Sequence, residues 1–250
     1  MRKYKTITLF LLALIVFQAC EYIFYVNKES EVIRIHKDFG PISKVTIGAS
    51  CRLVLSMEEN TELTLIGQKH LLEGFEIEYS EGAIKISHKT NTLQRKKLVE
   101  ICISAKALQQ ITCTNACEIT NYEPLEINTL TMTMNGSSEF TESDLDIHCQ
   151  KLRINCYGNS NIGQHTLKGN VNELFMNLEG RIKVEALDLI VQKANVTNKS
   201  GYDCYLNIHE LLTVKTYSSG NTFYKGDPEL VHERYHVPYL NSTGEVIPYD

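Results

Sequence analysis

From residue 32 onward, apolar residues fall at alternate positions in short runs, and between residues 130 and 189 these runs recur as one 22-residue pattern written three times without insertion. Leu130, Met132 and Met134 precede Gly136; Leu152, Ile154 and Cys156 precede Gly158; Leu174, Met176 and Leu178 precede Gly180. Phe140, Ile162 and Val184 hold one later slot, and Leu145, Leu167 and Leu189 another. Alternation of period two puts apolar side chains on one face of a strand, and a fixed period of about 20 to 50 residues marks a repeat array. One such coil has nothing to cover its apolar face. Stacking the coils sets Leu130 beneath Leu152 beneath Leu174, pairs the strands in parallel and buries a continuous aliphatic column. Crossover connections between parallel strands wind right-handed, so the pattern predicts an all-β fold, a right-handed parallel β-solenoid (β-helix) of about 22-residue coils. Recurrent glycines at Asn135-Gly136, Tyr157-Gly158 and Glu179-Gly180 predict corners with backbone angles that most residues avoid. Thr131, Thr133, Arg153, Asn155 and Asn177 alternate with the inward residues and face water.

Residues 32–105 are also strand-rich, with Val45/Ile47, Cys51/Leu53/Leu55, Leu63/Leu65, Phe75/Ile77/Tyr79, Ile84/Ile86 and Val99/Ile101/Ile103 in alternation. Gly48, Asn60, Gly67, Gly74, Gly82 and Asn91 punctuate them as turn residues. Only residues 68–72 predict a helical turn. This part belongs to the same solenoid or to a second one packed on it. Residues 106–238 carry the repeats, the first of which (Ile111, Cys113, Ile119) runs one residue short of the later ones, and residues 239–250 form a C-terminal tail.

Composition changes this picture little. The chain has 250 residues, 43% hydrophobic and 22% charged, with net charge -5 and pI ≈ 5.9; nucleic acid, which demands a basic face, is excluded as a partner. The N-terminus changes it more. Arg2, Lys3 and Lys5 form a basic region, residues 6–16 an apolar one, and Ala19 precedes Cys20, which together read as an export signal over residues 1–19. Phe17-Gln18-Ala19-Cys20 resembles a bacterial lipobox, predicting lipidation of Cys20 and a tether over residues 20–31; an uncleaved membrane anchor extended by residues 22–26 is the alternative. Of the eight cysteines, Cys51 and Cys149 read as core thiols and Cys102 as outward. Cys113 and Cys156 share an inward slot two rungs apart, about 9 to 10 Å at ordinary strand spacing, too far for a disulfide.

His232-Glu233-Arg234-Tyr235-His236 fits the H-E-x-x-H pattern in which a helix presents two histidines to zinc and the glutamate activates the metal-bound water. Asp227-Pro228 and Pro238 bracket it closely, and the neighbourhood reads as strand, where the two histidines only share a face. A third ligand would be Glu245 or a residue elsewhere. Polysaccharide-active β-helix enzymes gather Asp, Lys or Arg on neighbouring coils; the outward columns Thr131/Arg153/Phe175 and Thr133/Asn155/Asn177 contain no carboxylate cluster. Outward Thr, Asn and Ser instead suit hydrogen bonding to glycans.

Phe39-Gly40-Pro41-Ile42-Ser43-Lys44-Val45-Thr46-Ile47, then Leu63-Thr64-Leu65-Ile66-Gly67, Glu81-Gly82-Ala83-Ile84-Lys85-Ile86 and Ser219-Gly220-Asn221-Thr222-Phe223-Tyr224-Lys225-Gly226-Asp227-Pro228 resemble the putative auto-transporter adhesin head GIN domain family over most of residues 32–238. The resemblance implies an exported bacterial lipoprotein with a β-solenoid fold and no catalytic residues. The expectation is therefore a non-catalytic, lipid-anchored binding or structural protein of the cell envelope, attached to the outer membrane and facing the periplasm or the surface. It needs no cofactor, and its partner is a glycan or protein of the envelope or of a host surface. The alternative expectations are a zinc hydrolase using His232, Glu233 and His236, or a polysaccharide-active β-helix enzyme.

Overall fold

The three-sided shape of each coil is set by how one long strand is shared. In the computed structural model, which describes residues 31–59, 62–89, 98–136, 140–236 and 242–249, β12 (Thr141–Cys156) pairs in parallel with three different predecessors. Its first part lies on β9 (Cys117–Asn121), its middle on β10 (Leu125–Glu126) and its last part on β11 (Thr129–Met134). Each coil thus turns twice between faces before climbing to the next. β13 (Ile162–Ser200) and β14 (Cys204–Thr216) continue the climb, followed by β15 (Thr222–Lys225), β16 (Glu229–Arg234) and β17 (Val246–Pro248). About six turns stack in this way. The export signal, Cys20 and the tether up to residue 30 lie outside the described residues.

The predicted register holds: Leu130 pairs with Leu152 and Leu152 with Leu174, Met132 with Ile154 and Ile154 with Met176. All six are nearly or completely buried, and each such side chain contributes about 1.5–3 kcal/mol relative to exposure. Cys113, Met134 and Cys156 follow one another up a single inward column, so Met134 separates the two thiols. Beyond residue 189 the coils shorten. Val184 pairs with Cys204 and Cys204 with Thr222, steps of 20 and 18 residues instead of 22. Val246–Pro248, within the expected tail, pairs with Thr222–Tyr224 and adds a rung.

Residues 32–105 join the same 17-stranded sheet, but not in chain order. β2 (Lys44–Ile47) lies between β6 (Ala83–His88) and β8 (Gln110–Cys113), parallel to both. β3 (Cys51–Ser56) likewise lies between β7 (Val99–Ser104) and β9. The first coil in sequence is therefore second in space. Between them the chain makes an excursion through β4 (Glu62–Gln68), the single turn α1 (Lys69–Leu72) and β5 (Phe75–Ser80). β1 (Val32–Asp38) pairs antiparallel with β4, and β4 with β7. β5 and β6 form a hairpin whose turn, Glu81-Gly82, has φ of 50° and 77°, the geometry of a type I′ connection. Antiparallel strands thus close the N-terminal end, where a bare parallel edge would invite further strands.

Two expectations need correction. Gly158 does sit at φ +102°, but Gly136 has no positive φ among the described glycines; it is small because Gly158 rests against it, and a Cβ on Gly158 would come 2.7 Å from the Gly136 Cα. Phe140 and Ile162 align, yet neither is core: Phe140 is 48% exposed with φ 62°. The inward positions are Thr141, Ser143 and Leu145, then Gly163, His165 and Leu167, and Ile119 lies against Ser143, not Phe140.

A polar groove beside Tyr122

Strands β7, β3, β9, β12 and β13 form one face of the solenoid, and alternation divides their residues into inward and outward columns, with the outward Val54 covered to 1% exposure. Ile101, Leu53, Ile119, Ser143 and His165 form one inward column. One residue earlier, Glu100, Arg52, Glu118, Glu142 and Gln164 form an outward column; one residue later, Cys102, Val54, Thr120, Asp144 and Thr166 form another. Parallel in-register stacking brings like positions to about 4.8 Å spacing, so carboxylates far apart in sequence become neighbours. All of these outward residues except Cys102 line a groove of ≈ 440 Å³ that includes Tyr122 in its wall.

The carboxylates are organised by two partners. Arg52 donates from Nε to Glu118 Oε2 at 2.7 Å, with its Nη2 2.7 Å from the same oxygen. Both side chains are well exposed, and such a pair contributes about 0–1 kcal/mol to stability; its effect is to hold charge in a fixed place. Tyr122 donates its hydroxyl to Glu100 Oε1 at 3.0 Å while remaining 68% exposed. Cys102 donates to the same oxygen at 3.5 Å. Partial burial, then the Glu100 charge, pushes this thiol up to about 11, so it stays protonated. Glu142, Asp144, Gln164 and Thr166 continue the lining of the groove on β12 and β13, adding acceptors, an amide and a hydroxyl. Tyr122 is also a wall of a second groove of ≈ 370 Å³ that contains Arg34, His36, Ser56 and Glu58.

The carboxylates gather on this face and not on the two outward columns singled out in the sequence, which contain none. The columns Thr131/Arg153/Phe175 and Thr133/Asn155/Asn177 belong to a different face. There, Arg153 stacks on the Phe175 ring at 4.6 Å with Lys151 5.4 Å away. Glu118 and Glu142 are 24 residues apart and paired, a step that the 22-residue period conceals.

The H-E-x-x-H segment takes a form unlike that of a zinc helix. His232 occupies the inward slot above Val214 on β16, its Nε2 3.0 Å from Thr216 Oγ1. Although His232 is exposed like the rest of β16, partial desolvation and then the Arg234 charge lower its pKa. Glu233 points to the opposite face, toward Lys215 at 3.9 Å and the Tyr235 hydroxyl. His236 lies beyond the end of the strand, so the two histidines share no strand face. Glu245 faces Arg234 at 3.9 Å. Strand alternation thus separates the would-be ligand from the would-be base, and among the described residues no group of three or more His, Cys, Asp or Glu is arranged to hold a metal ion.

Cys51 and Cys149 are buried and Cys102 is half-buried. A buried polar cluster escaped the hydrophobic pattern altogether: Ser143, His165 and Cys156, packed inside the coils.

Comparison with known proteins gives a consistent result. A family model described as "Putative auto-transporter adhesin, head GIN domain" matches residues 41–228. The fold is similar to the crystal structure of a putative adhesin from Bacteroides fragilis, with 16% identity, TM-score 0.74, and 88% of this chain and 98% of that chain covered. It is also similar to a putative lipid binding protein from Parabacteroides distasonis (15% identity, TM-score 0.61, 88% and 97% covered). A putative adhesin from Parabacteroides merdae is similar too (14% identity, TM-score 0.57, 88% and 97% covered). These likenesses are of fold. No curated protein matches the chain.

Proposed function

Because this chain belongs to the putative auto-transporter adhesin, head GIN domain family, we propose that it is a non-catalytic binding protein of the cell envelope, held to the outer membrane by a lipid on Cys20, and that the groove beside Tyr122 binds a saccharide. The observation that carries this reading is the groove itself, lined by the exposed Tyr122 ring together with Arg52, Glu118, Glu142, Asp144 and Gln164. Sugars present apolar C–H faces and rings of hydroxyls, and an aromatic ring beside fixed acceptors and donors complements both. The family and its structural neighbours are named for adhesion, and this role needs a rigid scaffold with an open polar face, which the solenoid supplies. A lipid ligand, as in the name of one structural neighbour, fits this polar groove poorly.

The test is a glycan array probed with the purified chain, followed by calorimetry on any hit. Binding lost roughly tenfold or more in Tyr122→Ala, corresponding to about 1.4 kcal/mol, with folding unchanged, supports the groove. Binding that survives both Tyr122→Ala and Asp144→Asn places the ligand elsewhere, and a silent array removes the saccharide reading. Radioactive palmitate incorporation that persists in Cys20→Ser sinks the anchor.

A further inference from the structure

The corner between β8 and β9 brings two thiols together. Cys113 ends β8 and Cys117 begins β9, with three residues between them. Both side chains point into the core, and the Cys117 Sγ lies 3.0 Å from the Cys113 Sγ, closer than two sulfurs settle when they merely pack. The corner that presents them is fixed from outside. Thr114 donates its N–H to the Ile47 carbonyl at 2.8 Å, Asn115 Oδ1 accepts from the Ala116 N–H at 2.8 Å, and Asn115 Nδ2 reaches the Gly48 carbonyl at 3.4 Å. Cys51 is the inward neighbour of Cys117 on the next rung. All three are buried, yet no metal-holding group of three is formed among the described residues. The sulfur contact is between Cys113 and Cys117.

We propose that Cys113 and Cys117 form a disulfide that locks this corner, with Cys51 left as a thiol. The oxidant is a disulfide, of a small molecule or of an exchange protein. The Cys113 thiolate attacks one sulfur of it and expels the other as a thiol; the Cys117 thiolate then displaces the second sulfur from the mixed disulfide. Two thiols lose two protons and two electrons, and the oxidant leaves as two thiols. Exchange needs a thiolate and access, and the closed coil denies access. The bond therefore forms before the coils above and below the corner are in place, and once made it is sealed from reductants. Its formation depends on the chain maturing in an oxidising compartment, and it is independent of the ligand in the Tyr122 groove.

Differential alkylation tests this on the full chain. The protein is unfolded, refolded in a mixture of oxidised and reduced glutathione, denatured again and blocked with N-ethylmaleimide. It is then reduced and labelled with iodoacetamide. Cleavage after glutamate yields a peptide from residue 101 to residue 118 that holds Cys102, Cys113 and Cys117. The proposal expects the iodoacetamide label on Cys113 and Cys117 and the maleimide on Cys102 and Cys51. Cys117→Ala moves Cys113 into the maleimide class, and Cys51→Ala changes nothing at the pair. Maleimide on both Cys113 and Cys117, or protection of Cys51 together with Cys117, overturns it.

Discussion

Ser143 Oγ lies 2.8 Å from His165 Nδ1 in the interior of the solenoid, and Cys156 Sγ lies 3.7 Å from the Nε2 of the same ring. A neutral imidazole has one N–H and one bare nitrogen, and a hydroxyl and a thiol can each donate or accept, so the trio satisfies itself without charge. Protonating the ring would place a cation among buried neighbours. Burial accordingly holds the His165 pKa down at about 4.

A pH dependence follows from that depression. The unfolded imidazole titrates near 6.5, above the folded value, so the unfolded chain binds more protons throughout the interval. The contribution of His165 to stability is complete above pH ~6.5 and declines as pH falls toward ~4, with a slope of up to about 1.4 kcal/mol per pH unit. Urea melts at pH values across this interval measure it. The double variant Ser143→Ala/His165→Leu, which removes both polar partners together, is expected to flatten the slope; an unchanged slope assigns the acid sensitivity to other groups.

Gly158→Ala tests the corner. At φ +102°, with the new Cβ 2.7 Å from the Gly136 Cα, alanine is strained and crowded by backbone that cannot rotate away. The expected cost is about 1–3 kcal/mol, which corresponds to a fall in Tm of roughly 2–4 °C per kcal/mol in a chain of this size. Thermal melts followed by circular dichroism report it.

The rings of Tyr217 and Tyr235 stack at 4.7 Å between centroids with 5° between planes, and Lys199 Nζ lies 5.6 Å from the Tyr217 centroid. Tyr235 directly follows β16, whose residues are exposed along its whole length. A double-mutant cycle with Tyr217→Leu and Tyr235→Leu should return a coupling of about 0.5–1 kcal/mol. Hydrogen exchange should show faster opening of Glu229–Arg234 in either single variant, with little change in β11.

His232→Ala separates a structural histidine from a metal ligand. Its Nε2 contact with Thr216 predicts a loss of about 1 kcal/mol in unfolding free energy and no change in metal content. Elemental analysis showing stoichiometric zinc in the parent chain and none in the variant would reverse that assignment.

The aliphatic columns were legible in the sequence because Leu130, Leu152 and Leu174 repeat at a constant interval and nothing but a stacked strand uses that interval. The neighbouring face was misread for a physical reason. Phe140 and Ile162 look like core residues, but they stand at the corner, and the core slots beside them hold Thr141, Ser143 and His165. Polar side chains that satisfy each other indoors are invisible to a hydrophobicity pattern. The Tyr122 groove was hidden for a related reason: Glu100, Arg52, Glu118 and Glu142 become adjacent only after the coils stack out of order, across steps of unequal length. The H-E-x-x-H motif was legible as a string, and its strand context correctly argued against a helix. The separation of His232 from Glu233 then follows from alternation alone.

The placement of β2 and β3 between strands that come later in the chain bears on how the molecule is made and engineered. β2 lacks a lateral neighbour until β8 exists, and β3 until β9 exists, so the earliest coil waits on contacts more than sixty residues downstream, as the pairing of Cys51 with Cys117 illustrates. High separation between partners slows folding. It also means that trimming from the front is not the same as shortening the stack: excising residues 44–56 would pull out an interior layer and leave the outer strands β6 and β7 facing β8 and β9 across a gap. Shortening by whole rungs is feasible only from the C-terminal end, where succession in the chain and succession in space coincide.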